Sequence, residues 1–383
     1  TDTETGTDKG AETAVNSTTY TITVKDQETK KLYKVEDDTV TNDELKGKVE
    51  PTTIDGFTPT KNDFTNIPTT AGKAGQTIPT PASVTYTKGT ETIPVETKVD
   101  VVVLPKVTPE GVKVLKDSTD LEEVVKAKAT EAATATTKLP DGVTVRVKEV
   151  KAGTVPATTA TGVQTPATAV VEYVKDGNVV KTSEVPVPVT VVGSTPKSLV
   201  VFEGDTVEAK TVQDAVTPGT DGTKGNPAIP EDLTKATGKK EVTVPVTYEG
   251  IEAPEQVKVP VTVLPVAKGE VTVPKGETAD KVKEVAKAKA EEVANSADFK
   301  AKLPDGAKDV EVGAITEEVL AAITTEAGTN RGTVKVPVTY TVDSVKYTKD
   351  AEITVNVVGS EPKTVYTVEG TKPDAEKVKN AVT

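Results

Sequence analysis

The chain has 383 residues, a formal net charge of −13, 35% apolar and 3% aromatic residues, and no Cys, His, Met or Trp. The distributed acidity argues against nucleic acid and anionic membrane surfaces as partners, since both require basic patches. Without Cys or His there are no disulfides, thiolate or imidazole catalysis, or common zinc sets, and no run of 18 apolar residues offers a membrane-inserted helix.

Residues 1–17 are small, polar and aperiodic, and read as a disordered leader or linker. With no initiator Met, signal peptide or sorting signal, the sequence reads as a fragment of something longer. Strand alternation begins at Tyr20-Thr21-Ile22-Thr23-Val24, followed by a turn rich in Lys, Asp and Glu. The rest of this first unit, 18–105, is expected to be loop-heavy over 51–80. Its closing strands surround Tyr86 and then Val95, Val99, Val101 and Val103.

Beyond it the chain repeats. Val191-Val192-Gly193-Ser194-Thr195-Pro196-Lys197 returns as Val357-Val358-Gly359-Ser360-Glu361-Pro362-Lys363, and Leu104-Pro105 returns as Leu264-Pro265. Lys138-Leu139-Pro140-Asp141-Gly142 returns as Lys302-Leu303-Pro304-Asp305-Gly306. Repetition divides the remainder into a long unit at 106–195, a short one at 196–265, a long one at 266–361 and the start of a short one at 362–383. That last piece has no closing strands and is too small to bury a core alone. The sizes alternate long–short behind one odd unit, and the mechanical repeat is expected to be the pair.

Each unit is expected to open with a strand and a helix. Thr119 and Glu122 suit a capping box for a helix burying Leu121, Val124, Val125, Ala129 and Ala132. The second long unit repeats this from Thr278 with Val282, Val285, Ala286, Ala290 and Val293, while 207–216 allows about two turns. Lys281, Lys283, Lys287 and Lys289 interleave with Glu and read as a solvated face. Each unit then closes with two period-two strands: Val242, Val244, Val246 and Tyr248 with Val257, Val259, Val261 and Val263, and Val334, Val336, Val338 and Tyr340 with Ile353, Val355 and Val357. Tyr173 with Val185, Val187, Val189 and Val191 is the third instance. The four tyrosines at this place read as the bulky core residue of each unit, with the hydroxyl at the rim. Prolines 186, 188, 245, 260 and 337 fall on outward positions and predict edge strands.

The segments Val200-Val201-Phe202-Glu203-Gly204-Asp205-Thr206, Lys239-Lys240-Glu241-Val242-Thr243-Val244-Pro245-Val246-Thr247-Tyr248 and Val257-Lys258-Val259-Pro260-Val261-Thr262-Val263 resemble the Rib/alpha-like repeat. The tail fits through Thr364-Val365-Tyr366-Thr367-Val368-Glu369-Gly370, and the long units look like extended variants. The family occurs in tandem in cell-wall-anchored surface proteins of Gram-positive bacteria. The resemblance implies a mainly β chain of tandem immunoglobulin-like β-sandwich domains, each with one short-to-medium helix, arranged as an elongated rod. It further implies an extracellular location, a monomer, and covalent attachment to peptidoglycan through a region outside this sequence.

No nucleotide loop or marked acid pair is present, so no enzyme, cofactor or metal is expected, and no catalytic, metal-ligating or ligand-binding residue is assigned. The Pro-Asp-Gly runs at 140–142 and 304–306 read as tight turns rather than calcium loops. A Lys–Asn or Lys–Asp cross-link has no diagnostic spacing. Two functions remain: a stalk projecting a more N-terminal binding region, or an adhesive module. In the second, the 18–105 unit with Phe57, Phe64 and its Thr/Asn/Pro loops, or the repeats themselves, contact a host or neighbouring-cell surface ligand.

Overall fold

The computed structural model describes residues 28–319 and 321–383; the expected leader at 1–17 and the alternating run at 20–24 lie outside the described residues. The chain is mainly β and divides into two compact units, Thr1–Thr190 and Val191–Thr383.

The first unit contains two copies of one arrangement. Copy one comprises β1 (Glu28–Thr29), β2 (Leu32–Val35), α1 (Asn42–Lys46), β3 (Val49–Glu50), β4 (Thr58–Lys61), β5 (Thr77–Lys88) and β6 (Glu91–Leu104). Its main sheet has the order β2-β6-β5-β4, with β2 parallel to β6 and antiparallel pairing elsewhere. Copy two comprises β7 (Val112–Leu115), α2 (Leu121–Thr134), β8 (Val143–Val150), β9 (Gly162–Val163), β10 (Ala167–Lys175), β11 (Asn178–Val187) and β12 (Val189–Val192). Here the closing strand is cut by Pro188, which cannot donate to a ladder. One three-stranded sheet, β11-β10-β8, lies before the break. Beyond it, Val112 N donates to Pro188 O and Gln164 N to Val189 O, which sets the start of β12 between β7 and β9.

In the second unit, copy three comprises β13 (Thr195–Pro196), β14 (Leu199–Phe202), α3 (Ala209–Asp214), β15 (Val216–Thr217), β16 (Thr223–Lys224), β17 (Gly238–Thr247) and β18 (Glu255–Leu264). Copy four comprises β19 (Lys268–Pro274), α4 (Ala279–Ala294), α5 (Ala297–Ala301), β20 (Ala307–Val312), β21 (Gly328–Val342) and β22 (Val345–Val358), and α6 (Ala375–Asn380) follows. The sheet orders are β14-β18-β17-β16 and β19-β22-β21-β20, with the opening strand again parallel to the closing one. Copy one therefore shares far more with copy three than the closing strand pair legible in its sequence. The size alternation is short–long within each compact unit, rather than long–short behind an odd unit.

The inward positions of the closing hairpins are buried as their alternation requires, from Val242, Val244 and Val246 to Val334, Val336 and Val338. Pro186 lies on an edge strand, β11, as expected, but Pro245, Pro260 and Pro337 do not mark edges: β17, β18 and β21 are interior strands. What the sheets supply instead is a short neighbour at each site. β16 pairs only with Val246 and Thr247 of β17, and Pro245 turns its carbonyl to Gly225 N beyond that ladder. β14 begins pairing at Val261, one residue after Pro260. A missing N–H does little harm where the facing strand has ended.

The helix faces match the expectation with two adjustments. In α2 the buried line is Leu121, Val125, Ala129 and Ala133, with Val124 and Ala132 half-buried at its border. The cap residue is Asp120, not Thr119, and the box with Glu122 does not form; Ser118 Oγ bonds Asp120 instead. Among the described residues the capping box lies in α1, where Thr41 Oγ1 accepts from Glu44 N and Glu44 Oε2 from Thr41 N. In α4, Thr278 caps Lys281 N, and Val282, Ala286, Ala290 and Ala294 face the core. Its lysines pair along the helix, Lys281 with Glu284 at 3.4 Å and Lys289 with Glu292 at 3.1 Å, as a solvated face should.

One device recurs in all four copies and has no obvious sequence signal. After the opening strand the chain turns back with bonds from Asp38 N to Val35 O, Ser118 N to Leu115 O, Asp205 N to Phe202 O, and Glu277 N to Pro274 O. The third residue of each turn has positive φ: Asp37, Asp117, Gly204 and Gly276. A threonine from a distant loop then donates its hydroxyl to the turn: Thr70 to Asp38 O, Thr158 to Ser118 O, Thr234 to Asp205 O and Thr324 to Glu277 O, at 2.7–3.2 Å.

Candidate functional site

The sequence assigns no catalytic or ligand residue, and the best-built polar constellations are the joints between copies. Each is organised by the tyrosine that ends the penultimate strand. All four rings are buried, as expected of core residues. Their hydroxyls reach further than the rim. Tyr173 Oη donates to Pro105 O at 2.6 Å, and Tyr340 Oη to Pro265 O at 2.6 Å. These carbonyls belong to the residue directly after β6 and after β18, so each long copy clasps the end of the short copy before it. Burial pushes the Tyr173 phenol up to about 12 and raises Tyr340 further, because a phenolate there would lose water and face a carbonyl oxygen.

The joint in the second unit adds aromatic and ionic contacts. Phe202, the last residue of β14 in copy three, is in the same core as copy four. Its ring meets Tyr340 edge-on at 5.3 Å, and Phe299 packs tilted against Tyr340 at 6.2 Å. Lys349 of β22 bonds Asp205 at 3.1 Å and lies 5.6 Å over the Phe202 ring. In the first unit, Lys106 pairs with Asp37 on the turn that follows β2. Leu104 and Leu264, which immediately precede the clasped prolines, are fully buried. The repeated Leu-Pro pair thus carries an apolar anchor and an acceptor in two residues.

The short copies use their tyrosine differently. Tyr86 donates to Thr52 O at 2.7 Å, within copy one. Tyr248 Oη donates to Glu255 Oε2 at 2.8 Å, accepts from Gly219 N at 3.1 Å and lies 2.9 Å from Ser194 Oγ, while Ser194 N donates to Glu255 at 2.8 Å. Burial raises the Tyr248 phenol, and the Glu255 carboxylate pushes the same way against the Ser194 and Gly219 bonds. A β-carbon at Gly219 would stand 2.8 Å from Gly193 O and 2.9 Å from Tyr248 Oη. Gly219→Ala is therefore expected to cost about 1–3 kcal/mol through steric displacement of the network. Urea denaturation of the full chain, read at the transition that reports residues 196–264, checks this.

The other candidates dissolve on inspection of their geometry. Phe64 is buried in the core of copy one, while Phe57 packs half-buried against it with Lys88 5.6 Å from its ring, so only part of the Phe57 ring is left open. A cleft of about 480 Å³ beside the first joint is lined by Glu36, Lys106, Glu110, Lys128, Glu131 and Lys138. Several of its charges are engaged: Lys106 with Asp37, Lys128 with Glu131 at 3.5 Å and Glu110 at 4.0 Å, and Glu36 with Ala74 N at 3.1 Å. The buried lysine of copy one, Lys34, holds Glu44 with both oxygens at 3.1 Å, an ion pair rather than a lysine facing an asparagine. Burial works against the Glu44 carboxylate, but its Lys34 and Thr41 bonds leave it below the ordinary range. The two Pro-Asp-Gly runs are turns, closed by Val143 N to Pro140 O and Ala307 N to Pro304 O, with Gly142 and Gly306 at positive φ. Among the described residues there is no group of three or more Asp, Glu, His or Cys able to hold a metal, and no helix long and apolar enough to cross a membrane.

No protein-family model matches the chain, and no curated protein matches it. Among solved structures it is similar to Drosophila N-cadherin EC1-4, at 10% identity and a TM-score of 0.15, over 86% of this chain and 98% of that one. It is similar to protocadherin gamma B2 extracellular cadherin domains 1–5 at 10% identity and TM-score 0.14, over 80% and 72% of the two chains. It is also similar to the sialic acid binding region of the Streptococcus sanguinis SK1 adhesin bound to 3'sLn, at 10% identity and TM-score 0.16, over 82% and 87%. Superposition this loose carries no functional argument, and the chain's own joints remain the ground for one.

Proposed function

We propose that this chain is a non-enzymatic tandem-repeat stalk of a bacterial cell-surface protein. Rib-like domains at 106–195, 196–265 and 266–361 follow an N-terminal domain at 18–105, and 362–383 opens another. The stalk projects a more N-terminal binding region away from the cell wall, to which the protein is anchored outside this sequence. The observation that carries this reading is the repeated clasp: Tyr173 on Pro105 and Tyr340 on Pro265 at the same place in successive long copies. A stalk must hold its domains in series without slack. A buried hydroxyl bonded to the last carbonyl of the neighbour does that with a linker of almost no length. An adhesive site would instead be recognised by polar or aromatic groups left open in a cleft, and in the charged cleft beside the first joint Lys128 is held by Glu110 and Glu131 and Lys106 by Asp37.

Small-angle scattering of the full chain tests the proposal. Four domains in series, with closing strands of nine to fifteen residues, give a particle about 120–160 Å long at about 3.3 Å per residue. A compact particle of ordinary globular dimensions would refute the stalk.

A further inference from the structure

In copies one, three and four the first and last strands lie side by side and run parallel. Leu32–Val35 pairs with Val101–Leu104, Leu199–Phe202 with Val261–Leu264, and Lys268–Pro274 with Glu352–Val358. One bond extends each ladder past its last pair: Glu36 N donates to Leu104 O at 2.8 Å, Glu203 N to Leu264 O at 2.8 Å, and Lys275 N to Val358 O at 2.7 Å. The inner face is dry, with Val103, Val263 and Val355 all 0% exposed. The direction of pairing fixes how each ladder takes tension. The chain enters a copy at the start of its opening strand and leaves at the end of its closing strand. In copy three those points are three residues apart along the strands, about 10 Å, and in copy four six residues, about 20 Å, against about 4.8 Å across. Tension therefore slides the two strands past each other and loads every bond of the ladder together. An antiparallel pair pulled at adjacent ends would open one bond at a time.

We propose that these terminal ladders are shear clamps that make the three copies load-bearing elements, and that copy four is the strongest of them. Its ladder has seven pairs, where those of copies one and three have four each. The difference comes from β19, which runs on to Pro274, whereas β2 and β14 stop after four residues. Forced unfolding is governed by the rate of crossing the barrier, and bonds that must break together add to that barrier. Three further pairs slow the rupture of copy four at a given force by about 100-fold. Copies one and three thus yield first under load, and copy four is the reserve. Resisting tension goes beyond spacing, and each clamp belongs to one copy's own sheet. Scattering can therefore refute the stalk and leave the clamp standing.

The chain has no Cys, so paired thiols introduced into the full chain can carry the handles of a single-molecule pulling experiment. Lys268→Cys with Val358→Cys loads the copy-four ladder along its length. Lys268→Cys with Lys335→Cys loads it crosswise, because Lys268, Glu352 and Lys335 form one row across three strands. All three handle positions are exposed. At one constant force the lengthwise pair is expected to hold at least about 100-fold longer than the crosswise pair. Equal lifetimes in the two directions overturn the proposal. Ser198→Cys with Lys268→Cys loads copy three lengthwise and should fail about 100-fold sooner than copy four pulled the same way. Copy three outlasting copy four overturns the ranking. The unsubstituted chain held by its two ends gives the same comparison, with 268–358 expected to be the last of the three ladders to release. Its release before 199–264 overturns the proposal equally.

Discussion

Phe202→Ala should unfold its neighbour. The residue ends β14 of copy three, but its ring packs against Tyr340 in the core of copy four. Truncating a buried Phe costs about 3–5 kcal/mol through lost transfer energy and the cavity left behind. If the joint is a shared core, that loss must appear in the exchange and urea transitions of 268–358 as well as in those of 196–264. Tyr340→Phe isolates the clasp itself. It keeps the ring and deprives the Pro265 carbonyl of its donor, at an expected cost of about 1–3 kcal/mol. A Phe202→Ala effect confined to copy three would show that the copies are merely adjacent.

Alkali should open both units through the same tyrosines. Each of the two clasping phenols holds its proton more tightly folded than unfolded, where the value is 10.0. Stability from this source is fully present below pH 10 and is lost as pH rises through about 12 for Tyr173, with Tyr340 following at higher pH. The Tyr173 ring has no exposed surface, so the loss from this one residue reaches about 2–3 kcal/mol. Circular dichroism against pH should show structure intact to pH 10 and falling above it, with phenolate absorbance rising in step. The double variant Tyr173→Phe with Tyr340→Phe should hold its structure to higher pH despite starting less stable. Identical alkaline midpoints for the two proteins would remove the clasp from the account.

The hairpins were legible because nothing competes with their pattern. Val, Thr and Tyr at period two, with one face wet, can be satisfied by few structures other than a half-buried strand pair. Helix faces were legible for the same reason, and Ala at 286, 290 and 294 recurs at the helical spacing of four. Caps were less so. Thr119 and Thr41 both precede a glutamate by three residues, and only Thr41 forms the box, because at the other site Asp120 takes the cap position. Pro245, Pro260 and Pro337 misled, unlike Pro186 on the edge strand β11, because a linear rule sees a residue that cannot donate, whereas the sheet decides whether a strand lies opposite to be denied.

The joints were the part most nearly invisible. The sequence shows Leu-Pro twice and a tyrosine four times, but some 70 residues separate each clasping tyrosine from its proline. No local pattern says that two tyrosines reach back to the proline carbonyl of a preceding Leu-Pro pair while Tyr86 and Tyr248 do not. Nor does one say that Thr70, Thr158, Thr234 and Thr324 lock the same turn. By itself the sequence determined the fold class, the repeat, the strand faces and the absence of Cys and His chemistry. Those follow from composition and periods of two and 3.6 residues, which act over a few neighbours. The tertiary structure alone decided which copies share a core and what each hydroxyl binds. Such contacts form between residues distant in the chain, where burial makes one hydrogen bond to a specific carbonyl worth more than any local preference.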